Sequence, residues 1–162
     1  MNKAYASSDA VFLRRAICLA RERSQTKAGG PFGAVVVCAG KIVSRGWNKV
    51  TSSNDPTAHA EIVAIRAGCR KLGRFHLHDC VLYTSCEPCP MCLGAAYWAR
   101  VDRIVYAADR QDAAKIGFDD ARIYSELSLS RDLRLIRMEQ LLREEAVSVM
   151  QAWKAMPNRP RY

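Results

Sequence analysis

At 162 residues, 49% hydrophobic and 25% charged, the chain has the length and composition of one folded domain, which excludes a disordered or fibrous polypeptide. No apolar run approaches the roughly 18 residues of a membrane span, and charges interrupt the only apolar stretch of the N-terminus, so neither a membrane anchor nor a signal peptide is expected. The net charge of +9 is spread along the whole sequence, its nearest approach to a cluster being Arg66, Arg70, Lys71 and Arg74, so charge alone does not call for a nucleic-acid partner.

The first predicted element is a helix over 7–27, where serines precede a helical rhythm of Phe12, Ala16, Leu19 and Ala20. After the GGPF loop, AVVVC (34–38) and KIVSRGW (41–47) flank Ala39-Gly40 as a β-hairpin. Asp55 and Pro56 are a good N-cap and first residue for a helix running to about Leu72. CVLYT (80–84) is a buried strand, PMCLGAAYWAR (90–100) a helix opened by Pro90, and RIVYAA (103–108) another strand. Residues 110–127 are partly helical, LRLIRM (133–138) is a last strand, and 139–155 form a terminal amphipathic helix. Strands separated by helices imply a three-layer α/β/α sandwich around a mixed five-stranded sheet, with the strands after the hairpin parallel. One domain is expected over 1–162, with a core at about 9–125 and a C-terminal strand, helix and tail at about 126–162.

The cysteines decide between chemistries. Seven is an odd number, and Cys18, Cys38, Cys69 and Cys80 stand singly in apolar segments, as buried thiols of a reducing cytoplasm do. Cys86, Cys89 and Cys92 in TSCEPCPMCLGA (84–95) are spaced like the start of an iron–sulfur run, but the fourth position is Ala96. A thioredoxin-type redox pair follows the first strand of its βαβ unit and has no distant histidine partner. A catalytic zinc takes three protein ligands and a water, and Cys89 and Cys92 at the opening of a helix aim two sulfurs at one point. His59 and Glu61 supply what is missing. Two residues apart in mid-helix they would diverge by about 200°, so they converge only over a helix N-terminus. Two helix N-termini would then direct their positive ends at one spot. The plainer reading is a packed histidine beside a structural CxxC pair.

His59-Ala60-Glu61 and Pro88-Cys89-Pro90-Met91-Cys92 match the H-x-E…P-C-x-x-C signature, and in it the chain resembles the zinc-dependent cytidine-deaminase superfamily. GGPFGAVVV, SNDPTAHAE, YTSCEPCPMCLGA and the later GFDD look like the bacterial guanine deaminases of that fold, densely over residues 9–125 and again in QAW and the final tyrosine. The resemblance implies hydrolysis of guanine to xanthine and ammonia in the cytoplasm. It implies one Zn2+ per chain held by His59, Cys89 and Cys92, with Glu61 carrying protons from water to the purine and Asp120, the last residue of GFDD, as a second carboxylate. Phe32, Asn48, Ala60, Trp98 and Tyr162 would contact the substrate. The same resemblance implies a homodimer, with the C-terminal segment exchanged between protomers and Asp120 acting in the partner's site. Each assignment has a plainer counterpart: a helix cap for Asp120, a hairpin-exit residue for Asn48, core packing for Phe32 and Trp98.

Other residues read as bystanders. His76 and His78 form an H-x-H pair with no third ligand beside them, Cys86 is a small buried thiol, and Glu87 supports local backbone. Rival functions are tRNA adenosine deamination, deamination of ammeline or cytosine, and a non-enzymatic zinc module. The last leaves the three-ligand set and its adjacent glutamate unexplained. The tail AMPNRPRY cannot continue a helix past Pro157 and Pro160. In the resembled family the C-terminal residues close the active site.

Overall fold

The computed structural model describes residues 3–160. It divides into two compact units, Met1–Ile123 and Tyr124–Tyr162. Helix α1 (Lys3–Gln25) leads into the hairpin strands β1 (Gly33–Cys38) and β2 (Lys41–Trp47), followed by helices α2 (Val50–Ser53) and α3 (Ala60–Leu72). Strand β3 (Cys80–Cys86), helix α4 (Pro90–Trp98), strand β4 (Arg103–Ala108) and helices α5 (Arg110–Lys115), α6 (Asp120–Ser128) and α7 (Arg143–Ala155) follow, the last lying wholly within the second unit. Among the described residues, no helix is long and apolar enough to cross a membrane.

The sheet order is β2-β1-β3-β4, with β1 antiparallel to both β2 and β3, and β3 parallel to β4. Strand alternation builds the layers. Val35 and Val37 of β1, with Tyr83 of β3, face Leu19, Phe12 and Leu13 of α1. Ala34 and Val36, with Leu82, face Ala60, Ala64 and Ile65 of α3 and Ala96 of α4. Asp9 locks α1 in place: it accepts a 2.6 Å bond from Tyr83 Oη and a bidentate pair from Arg103 at 2.8 and 2.9 Å. Those donors hold the Asp9 carboxyl below the usual carboxylate range, Arg103 contributing most.

The sheet has four strands, not the expected five. Residues 131–133 make a single 3-10 turn, and the stretch after it forms no strand. A local side chain occupies a backbone group a ladder would need: Glu126 Oε2 accepts the Leu135 N–H at 2.8 Å, while the Arg134 side chain turns back to donate to the Leu129 carbonyl at 3.2 Å. The helix expected to start at Asp55-Pro56 starts instead at Ala60. Asp55 Oδ1 accepts from both N and Oγ1 of Thr57, at 2.8 and 2.7 Å, closing a turn in place of a cap. The short α2, unexpected in TSSNDP, is held by the hydroxyls of Ser52 and Ser53 on the Lys49 carbonyl and ends on left-handed Asn54.

Candidate active site

Two helices open on the same point. His59 is the N-cap of α3 and Cys89 the N-cap of α4, both extended, and neither side chain makes a capping bond to its own helix. Both are therefore free to face each other. His59 Nδ1 lies 3.6 Å from Cys89 Sγ and 3.6 Å from Cys92 Sγ, and the three donor atoms all fall within 4.8 Å of one another. Gly46 of β2 lets the first turn of α3 lie close against the strand, because a Cβ there would meet the Ala60 carbonyl at 2.1 Å and the Ala64 nitrogen at 2.6 Å. Pro90, at the first turn of α4, sets the entry angle for the cysteine pair.

The donor set fits zinc. A tetrahedral centre with Zn–S of about 2.3 Å and Zn–N of about 2.0–2.1 Å places sulfur and nitrogen about 3.6 Å apart. The electrostatics of the free side chains agree. Cys92 donates to Cys89, which brings the Cys89 thiol down to about 4 and pushes Cys92 up, so the pair holds one thiolate and one thiol. His59 is raised by its hydrogen bond to Cys89. A divalent cation is the natural replacement for the protons these groups share.

Glu61 follows in the first turn of α3 and is 6% exposed. Its burial pushes the carboxyl above the usual range, and Thr84 Oγ1 donates to Oε1 at 3.2 Å. It borders a cleft of about 360 Å3, counted to its open mouth, lined by Phe32, Asn48, His59, Glu61, Cys86, Glu87, Cys89, Phe118 and Asp120. Asp120 opens α6 at the wall of its own chain's cleft, not a partner's as the resemblance implies, and desolvation raises its carboxyl as well. Two carboxyls poised above their ordinary range beside a three-donor metal set are suited to proton transfer.

The remaining expected residues are placed unequally. Phe32 lines the cleft and meets Phe118 edge to face, with centroids 4.6 Å apart. Asn48 is buried at the cleft, but its Oδ1 already accepts the N–H groups of Gly30 and Val50 at 3.3 and 3.2 Å, so the NH2 is the end it offers a ligand. Ala60 is wholly buried in the core under α3. Trp98 is 76% exposed on the far end of α4 and is not among the cleft residues. Tyr162 lies outside the described residues. Cys86 ends β3 instead of lying in the loop after it; its thiol is pushed up to about 11 by burial and donates to the Asp109 carbonyl. His76 and His78 stack on each other with Nδ1 atoms 2.8 Å apart, and among the described residues they join no set of three ligands. Two cleft residues went unforeseen. Glu87 does support backbone, accepting the Arg110 N–H at 3.1 Å, yet it also lines the cleft. Phe118, inside the quoted GFDD, carries no signal of its own beyond its neighbour Asp120.

Residues 6–108 match the family model described as the cytidine and deoxycytidylate deaminase zinc-binding region. The chain is 53% identical over 151 residues to the guanine deaminase of Bacillus subtilis (strain 168), covering 93% of this chain and 97% of that protein. An X-ray structure of guanine deaminase from Bacillus subtilis superposes with a TM-score of 0.92 at 51% identity, covering 100% of this chain and 99% of that one. The tRNA-specific adenosine deaminase of Haemophilus influenzae is 36% identical over 128 residues, covering 75% of this chain and 73% of that protein.

Proposed function

The chain belongs to the cytidine and deoxycytidylate deaminase zinc-binding family, and from that membership we propose that it is a zinc-dependent hydrolase converting guanine and water to xanthine and ammonia. The observation that carries this reading is the near end-to-end match to a guanine deaminase, whereas the tRNA adenosine deaminase match leaves a quarter of the chain uncovered.

His59, Cys89 and Cys92 hold the metal. When bound, zinc supplies Lewis-acid activation of the attacking water and stabilises charge developing on its oxygen. The chain's own residues do the rest. Glu61, buried and carrying a raised carboxyl, takes a proton from the attacking water and delivers it to the ring nitrogen next to carbon 2. As the carbon–nitrogen bond to the exocyclic amine breaks, the second proton passes to the amine, which leaves as ammonia; Asp120 on the cleft wall assists this transfer. Phe32 and Phe118 form an aromatic wall against which a purine ring stacks, and the Asn48 NH2 donates to a purine acceptor. Tyr162 is assigned to closing the site over the substrate.

We place the reaction in the cytoplasm, where seven unpaired cysteines stay reduced. The working form is a homodimer with exchanged C-terminal segments, a reading supported by the second unit, in which no described residue is buried. Ammonia release from zinc-loaded protein given guanine, adenine, cytosine, ammeline, guanosine or a tRNA anticodon stem-loop tests the substrate. Guanine is expected to be turned over well above the others, with xanthine as product. Release from the tRNA adenosine without release from guanine overturns the proposal.

A further inference from the structure

A second group of metal-binding atoms sits at the other end of the sheet. Cys38, the last residue of β1, and Cys80, the first of β3, are direct partners across the antiparallel ladder, so their side chains leave the same sheet face. Asp79 precedes Cys80, with Oδ2 at 3.3 Å from Cys38 Sγ and Oδ1 at 3.4 Å from Cys80 Sγ. Two sulfurs and a carboxylate oxygen all lie within 4.8 Å of one another. Thiolate bonds of about 2.3 Å and a carboxylate bond of about 2.0–2.2 Å around a tetrahedral ion place sulfur and oxygen about 3.5 Å apart, so each sulfur already has one Asp79 oxygen near that distance, Oδ2 for Cys38 and Oδ1 for Cys80.

We propose that Cys38, Asp79 and Cys80 form a second cation site, for a thiophilic divalent ion of the zinc class. Charge supports it. Two thiolates and a carboxylate around a divalent ion leave one net negative charge, and Arg74 stands ready to neutralise it, paired with Asp79 and 3.8 Å from Cys80 Sγ. Arg74 also has its Nε buried with no hydrogen-bond partner, so it keeps a donor that is not committed to Asp79. Access is open on one side: Cys80 is fully buried, Cys38 half-buried and Asp79 exposed. Cys80 and Cys86 are six residue steps apart along β3, which separates this cluster from the cleft by roughly 20 Å. The site therefore acts on structure, clipping the end of the β1–β3 ladder to the turn that carries Asp79.

The test is zinc stoichiometry of the zinc-loaded full-length protein, held under a phosphine reductant and equilibrated against micromolar free zinc. A second equivalent of zinc per chain is expected in the unaltered protein. It should be lost in Cys38→Ser and in Asp79→Asn, while the first equivalent and guanine turnover stay. Cobalt added to protein that holds only its first equivalent of zinc should produce a thiolate-to-metal charge-transfer band that is absent in Cys38→Ser. Asp79 is exposed, so its variant decides the matter if Cys38→Ser fails to fold. Uptake that stops at one equivalent overturns the proposal, as does a second equivalent that survives Asp79→Asn.

Discussion

The two compact units use their apolar residues in opposite ways. In Met1–Ile123, successive residues of β1 bury Ala34 and Val36 against α3 and α4 and Val35 and Val37 against α1, so each of these four positions has a fixed neighbour. In Tyr124–Tyr162, no described residue is buried; Leu135, Ile136, Leu141 and Leu142 are 67–80% exposed. The difference shows where precision comes from. Placing an imidazole nitrogen 3.6 Å from each of two sulfurs requires helices pinned on a sheet, and only the first unit supplies such pinning. Exposed apolar residues in such numbers supply no comparable pinning.

The largest expected break in this contrast comes from the metal ligands. His59→Ala, Cys89→Ala or Cys92→Ala should each lose the cleft zinc and with it essentially all guanine turnover, read by metal analysis and xanthine formation. Cys86→Ser should keep its zinc, because that thiol is spent on the Asp109 carbonyl. Cleft zinc retained in the Cys89 variant would refute the ligand set.

Much of the first unit could be read from residues alone, and the reason is physical. His59, Glu61, Cys89 and Cys92 act from the first turns of two helices, so their short-range spacing already carries their geometry. Misreadings arose where side chains replaced backbone partners. Asp55 was expected to cap a helix and instead closes a turn on Thr57. LRLIRM reads as a strand, but the Glu126 carboxylate takes the Leu135 N–H that its ladder would need. Phe118 and Glu87 reach the cleft from separate loops, a convergence no local spacing encodes. Trp98, three residues from Ala95, fell on the solvent side of a helix that is apolar all round.

Deleting Pro157–Tyr162 sharpens the contrast from the other side. Folding and zinc content should stay near normal while guanine turnover drops sharply. Turnover at the full-length rate would show that the tail has no part in the reaction and would weaken the argument against a tRNA substrate.

The smallest expected effect is at the anchor of α1. Asp9→Asn should cost about 1.5–3 kcal/mol in unfolding free energy, the range for hydrogen bonds to a charged group. Asp9 is held below its ordinary 3.8, so its contribution is fully present above that pH and is lost as pH falls through its lower folded value. Denaturant midpoints of the two proteins should therefore converge in strong acid; a gap that persists there would mean the Asp9 charge is not the source.

Glu61 carries the central claim, that a buried carboxyl beside the metal set moves the protons of deamination. Zinc content and guanine turnover measured together on Glu61→Gln test it most directly. The account predicts unchanged zinc and a loss of turnover of at least ~100-fold, within the usual contribution of a general acid–base group. A zinc-replete Glu61→Gln protein that forms xanthine at a rate near that of the unaltered chain would contradict it.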